Sequence, residues 1–472
     1  MSLLASAFLF HSGSAHAASL TVNTDTHPSN CTLDEAIVNI NDQAQTNTDC
    51  VETGAYGTND TITIPEGKVL LTANTPALTS AVTIQGSGMD QTIIDGGGQY
   101  VTITHGNSTD FTIKKLRIEG YTDFAISSNG GNVSIDQVEV DGSSATFSSN
   151  NQFAIFLQNS QPSASTMKIS NSYVHDIGTS NNGGTLQSVI LVSKSAAVNT
   201  ALVENVTVAN IYGGGVATAV SIGSGFVGGG TGSMNATVRN TTISNVHASS
   251  GPASGITPLS FGVTNETHLA VESSTITNLS GVDIGFGYTN AGIGAATVSS
   301  DPNQQTHSDV TVVNSILDGQ CATVDIGSLV IGPGAGTGAQ SITSHGGNLS
   351  SDNSCKDYFT QSTDQNNVGN LASTLGTLSN NGGYVPTIPL MQGSPAIDAG
   401  VNVSGLTTDA RLAARPQGTA FDSGAYESPY SKPTLASTGE NLTALMTLVG
   451  LLLSVGTIFL MLSYVRSSSL TR

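Results

Sequence analysis

Residues 167–177, Met-Lys-Ile-Ser-Asn-Ser-Tyr-Val-His-Asp-Ile, return in altered form four times downstream. Residues 201–211 read ALVENVTVANI, 236–246 ATVRNTTISNV, 269–279 LAVESSTITNL and 310–319 VTVVNSILDG. Ile169, Val203, Val238 and Val271 hold the same place in four of these copies, at intervals of 34, 35 and 33 residues. A fixed period of this size marks a repeat protein rather than an ordinary globular domain.

Within each copy, branched apolar residues alternate with polar ones, the period-2 pattern of a half-buried strand. Asn171, Asn205, Asn240 and Asn314 follow the strand at a fixed offset, with Ser273 as the exception, and a second polar row falls at Asp176, Asn210, Asn245 and Asn278. If the copies stack as parallel strands about 4.8 Å apart, each row becomes a ladder of side chains bonding to the coil above and below. That structural role is preferred over ligand binding for the asparagines. A further β-type run separates the copies, at 154–157, 189–192, 219–222 and 258–261. The chain is therefore read as all-β, a right-handed parallel β-helix. The intervals shorten to 22 residues between Ile113 and Ile135, so the later coils carry extra loop, as at 223–232.

Gly occurs 54 times and Trp not at all, which suits tight corners and small inward side chains. The formal charge of −20 repels phosphate backbones and excludes nucleic acid as a partner.

Residues 1–17 read as a secretory signal peptide, with an apolar 3–10 and Ala15-His16-Ala17 as the cleavage motif. Residues 18–59 form an N-terminal cap, 60–355 the β-helix, 356–428 a C-terminal cap module and 429–441 a linker. Two runs carry a family resemblance. Cys31-Thr32-Leu33-Asp34-Glu35-Ala36-Ile37 resembles the Cys-Ser-Leu-Arg-Glu-Ala-Ile motif of secreted bacterial β-helix surface proteins, in which it opens a short capping helix; here Asp34 replaces the Arg. Residues 380–427, with Asn381-Gly382-Gly383, Ser394-Pro395-Ala396-Ile397-Asp398-Ala399-Gly400, Asp409-Ala410-Arg411, Arg415-Pro416 and Asp422-Ser423-Gly424-Ala425-Tyr426-Glu427, are similar to the C-terminal module of the same families, which have variable anchoring tails. The resemblance implies a pectin-lyase-like solenoid displayed outside the cell.

Cys31 is paired with Cys50 and Cys321 with Cys355 by proximity in sequence, although four cysteines allow three connectivities. No Cys-x-x-Cys or matching His spacing supports zinc, and neither a metal nor a cofactor is expected. In the C-terminal module, Arg411 and Arg415 stand among Asp398, Asp409, Asp422 and Glu427, a set read as structural ion pairs fixing an irregular segment against the last coil.

Leu435-Ala436-Ser437-Thr438-Gly439 is similar to the Leu-Ala-x-Thr-Gly variant of a sortase sorting signal. It precedes an uncharged apolar run at 442–465, long enough for a transmembrane helix, and a basic cytoplasmic tail at 466–472. The expected partners are the membrane, a sortase and the cell wall, with a glycan or cell-surface ligand.

For chemistry, the repeat register aligns Glu139 with Tyr173 and Asp141 with His175, making Glu139, Asp141 and His175 the strongest catalytic candidates. The preferred function is non-catalytic adhesion or glycan contact at the cell surface. A wall-tethered polysaccharide lyase or glycoside hydrolase is the alternative, and a passive stalk or coat protein the third.

Overall fold

The computed structural model describes residues 17–24, 30–147, 153–178, 186–194, 197–225, 232–262, 264–285, 287–299, 305–327, 336–432 and part of 446–461. The chain divides into two units, Met1–Tyr430 and Ser431–Arg472. The first is dominated by two long sheets, one of 19 strands and one of eight.

A single coil shows the plan. Strands Thr166–Ser170 and Tyr173–Ile177 belong to the large sheet and Leu186–Ser193 to the small one, and the next coil repeats them as Val198–Glu204, Thr207–Gly213 and Ala217–Ser224. Each strand pairs in parallel with its counterpart one coil on: Ile169 lies opposite Val203, Val174 opposite Val208 and Val189 opposite Val220. This is the architecture of a parallel β-solenoid. Strand Ala217–Ser224 runs through Gly223, so the loop expected at 223–232 begins later.

Alternation decides what goes inside. One inward row runs from Leu20 through Ile62, Ile84, Ile113, Ile135, Ile169, Val203, Val238 and Val271 to Val312, each facing the next in register and each essentially inaccessible. Burial of each such side chain contributes about 2 kcal/mol before entropy is counted.

The corners explain the asparagines. Asn171, Asn205, Asn240 and Asn314 all have φ near +50°, as do Lys115, Gln137 and Ser273 at the equivalent places in their coils. Asn enters this left-handed region at least cost among residues with a side chain. The amides also pair: Asn205 Nδ2 donates to Asn171 Oδ1 at 3.1 Å, and Asn240 Nδ2 to Asn205 Oδ1 at 3.2 Å. The second row behaves likewise, with Asn210 donating to Asp176 and Asn245 to Asn210, both at 2.8 Å.

At the N-terminal end, helix Leu33–Asp42 buries Leu33, Ala36, Ile37 and Ile40. It starts on a capping box in which Thr32 and Glu35 satisfy each other's backbone N–H, and Asp34 stands in the first turn, where the helix dipole favours an acid. The disulfide Cys31–Cys50 ties the helix start to the loop behind it, and Cys321–Cys355 joins the last strand of the small sheet to the segment that follows the solenoid.

The C-terminal module does more than cover the last coil. Gln365 extends the stack by bridging to Leu349, but the chain then turns back along the solenoid's flank. Val401 and Gly424 bond to Asn314, Ala425 to Thr275, Thr408 and Arg415 to Asn240, and Pro386 to Thr207. The module is a strap over successive coils, held at Thr207, Asn240, Thr275 and Asn314, one anchor on each of four consecutive coils.

In the second unit, every described residue between 446 and 461 is helical. No helix among the described residues is long and apolar enough to cross a membrane. The sorting motif at 435–439 and most of the expected signal peptide lie outside the described residues.

Candidate functional site

Three neighbouring strands, Phe111–Tyr121, Val133–Asp141 and Tyr173–Ile177, bring the candidate residues together. Register places Arg117 beside Glu139 and Glu139 beside Tyr173, and in the next outward column Glu119 beside Asp141 and Asp141 beside His175. Strand Thr92–Tyr100 adds Asp95 next to Glu119, and strand Gly67–Leu70 contributes Lys68.

The side chains form a chain of alternating charge along the stack. Lys68 Nζ lies 2.9 Å from Asp95 and 2.6 Å from Glu119. Arg117 pairs with Glu119, reaches Asp141 Oδ2 at 3.0 Å and stands 3.9 Å from Glu139. His175 Nε2 is 3.1 Å from Glu139 Oε1 and Nδ1 is 2.6 Å from Asp176 Oδ2. Tyr173 stacks on the His175 ring with centroids 4.0 Å apart.

Both His175 ring nitrogens face carboxylate oxygens, so both bonds form only when both nitrogens carry hydrogen. Burial works against the charged ring, but the bonds to Glu139 and Asp176 outweigh it and its pKa is raised. Burial also pushes Asp141 up, yet Ser143, His175 and Arg117 prevail and hold it below the usual carboxylate range. The Tyr173 hydroxyl is pushed up to about 12, by burial first and then by Asp176, Glu139 and Asp141, so it stays neutral.

A recess of about 400 Å³ adjoins this network, lined by Gly142, Ser143, Thr146, Phe147, Asp176 and Tyr212. Asp176 belongs to both, and the Ser143 N–H donates to Asp141 at 2.9 Å. Tyr212 is fixed by Asn245, which donates to its hydroxyl at 2.8 Å, and Phe147 packs edge-on against Tyr121. Phe153 stacks on both Phe124 and Phe156, with centroids 5.5 and 5.4 Å apart.

Two kinds of chemistry can be weighed. The ligand atoms of Glu139, Asp141 and His175 lie within 4.8 Å of one another, close enough to converge on a divalent cation. The positive charge there is already supplied by Arg117 and the His175 ring. Glycoside hydrolysis needs a carboxylic acid that keeps its proton, and Asp141 is held in the opposite direction. Tyr173, Tyr212 and Phe147 beside hydrogen-bonding carboxylates suit the face and edge of a sugar ring.

Sequence reading aligned Glu139, Asp141, Tyr173 and His175, and the structure places them in that register. It missed Arg117, Lys68, Asp95, Glu119, Asp176, Tyr212 and Phe147. The signal for Arg117 was present: the 22 residues from Ile113 to Ile135 carry Arg117 onto Glu139.

Of the six C-terminal charges, Arg411 pairs with Asp409 at 2.6 Å and Arg415 with Glu427 at 2.7 Å, the latter pair fully buried. Among the described residues Asp422 forms no close ion pair, and both it and Asp398 accept backbone N–H groups. Asp398 accepts the backbone N–H of Thr419 and Ala420, and Asp422 those of Asp398 and Ser428, because the irregular backbone leaves its own donors unsatisfied.

Comparison with protein-family models, curated proteins and solved structures finds no match to this chain, so the roles at the site rest on its own geometry.

Proposed function

We propose that this protein is a secreted, surface-anchored β-solenoid, right-handed and pectin-lyase-like, that contacts glycans without cleaving them. The observation that carries the reading is the Tyr173–His175 stack beside Glu139, joined through Asp176 to a recess of about 400 Å³ that Tyr212 and Phe147 line. In this reading the chain is exported by residues 1–17, cut by a sortase at 435–439 or held by the apolar run 442–465, and presents the solenoid outward. Two disulfides accord with an oxidising compartment.

The charge balance narrows the glycan. Asp95, Glu119, Glu139, Asp141 and Asp176 face Lys68, Arg117 and His175, an excess of acid within a chain of charge −20. Uronic acid polymers are repelled by such a surface, whereas neutral and amino sugars are accepted.

The closeness of Glu139, Asp141 and His175 favours a polysaccharide hydrolase or lyase as the second reading. One experiment separates the two. The protein is incubated with a polysaccharide panel while retained protein and new sugar ends are both recorded. Retention without new ends, lost in Tyr173→Ala and Tyr212→Ala, supports contact. New ends abolished by Glu139→Gln or Asp141→Asn make it an enzyme, and neither result leaves a passive stalk.

A further inference from the structure

The carboxylate of Asp60 is fully buried, and its hydrogen-bond partners are uncharged groups. Oδ1 accepts the backbone N–H of Ala18 at 2.9 Å and that of Gly57 at 3.1 Å, while Oδ2 accepts from Gly57 at 3.1 Å and from Gln43 Nε2 at 3.0 Å. Among the described residues no Lys, Arg or His side chain pairs with it. Among the described residues the neighbouring Glu52 also has a buried Oε2 without a partner, and both acids bear on the Tyr56 hydroxyl. Buried charges are ordinarily paired with an opposite charge. The first donor to this one is the backbone nitrogen of Ala18, the residue that follows Ala15-His16-Ala17.

We propose that hydrolysis of the Ala17–Ala18 peptide bond by a leader peptidase matures the chain, and that the new α-ammonium of Ala18 is the buried counter-ion of Asp60. Water supplies a hydroxyl to the Ala17 carbonyl carbon, the C–N bond breaks, and the Ala18 nitrogen leaves as an amine that is protonated at neutral pH. The nitrogen need not move to make the pair. Ala18 is 1% exposed, its carbonyl accepts the Thr61 N–H at 2.8 Å, and strand Ser19–Thr21 is already zipped to strand Asp60–Thr63. Removal of the leader thus creates the charge that the first coil is built to receive, and it completes the N-terminal cap only after processing.

The test begins with the full chain produced in an exporting bacterium, whose mature N-terminus is read by mass spectrometry and is expected to be Ala18. The chain from Ala18 onward is then compared with a free α-amine and with an acetylated one. The acetyl group stands where the Ala17 carbonyl stood, so the variable is the charge. Acetylation is expected to raise amide exchange across 18–22 and 33–42 at least tenfold, and Asp60→Asn to abolish that difference. The free α-amine should also react with an amine reagent at least tenfold more slowly than in a peptide of residues 18–24, a readout that stands if Asp60→Asn fails to fold. A mature N-terminus elsewhere, equal exchange in the two forms, or an α-amine as reactive as the peptide's would each overturn the proposal.

Discussion

At the scale of single residues, the corner asparagines do two jobs that can be separated. Asn205 holds φ at +54° and carries an amide that bonds both Asn171 and Asn240. Asn205→Gly keeps the left-handed backbone and loses the ladder, and Asn205→Ala loses both. The expected costs are about 1 and about 2 kcal/mol respectively, read from urea unfolding. Equal costs would mean that the conformation contributes nothing. His175 gives a second residue-level expectation. Its pKa is raised above 6.5 in the folded protein, so its stabilisation is complete below pH 6.5 and is lost as pH rises through the folded value. The melting advantage of wild type over His175→Gln should therefore be present at pH 5.5 and absent at pH 9. The asparagine rows were legible in the sequence because they recur at a fixed offset. Arg117 was harder to see because it precedes the 34-residue repeats, in coils whose shorter period hides its alignment with Glu139.

At the scale of elements, the strap along the flank depends on one buried cation. Arg415 donates to Glu427 at 2.7 Å, to the carbonyls of Gly424 and Asp422 at 2.7 and 3.1 Å, and to Asn240 on the solenoid at 3.4 Å. Arg415→Met leaves Glu427 buried without its partner, and a loss of about 3 to 5 kcal/mol is expected. Amide exchange should rise across 396–428 and stay low in the strands between 166 and 299; a uniform rise would mean that strap and coils unfold together. Asp422 adds a pH dependence. Burial raises its pKa from 3.8 to about 7, so its neutral form is favoured in the fold and its contribution declines as pH rises between those values. The melting difference between wild type and Asp422→Asn should shift against wild type from pH 4 to pH 8. A flat difference would show that the two backbone N–H groups bonding Asp422 compensate its charge. The strap's residues were recognisable from motif order, whereas its course was not. Irregular backbone carries no periodicity, and contacts such as Thr207 with Pro386 join residues far apart in sequence.

At the scale of the whole molecule, the charge of −20 acts on every approaching polymer before any contact at Tyr173 is made. The Debye length is about 20 Å at 20 mM salt and about 7 Å at 200 mM, so the field reaches well beyond the site in the first case and hardly past it in the second. A polymer of glucosamine should be retained at 20 mM salt and at least tenfold less at 200 mM, since attraction to Asp176 and its neighbours is then screened. A neutral glucan should be held about equally at both, because stacking on Tyr173 and Tyr212 does not depend on ionic strength. A polyuronate should be retained at neither. Tight binding of polyuronate at low salt would mean that Lys68 and Arg117 dominate the surface despite the surrounding acids, and the neutral or amino-sugar assignment would fall while glycan contact itself survived.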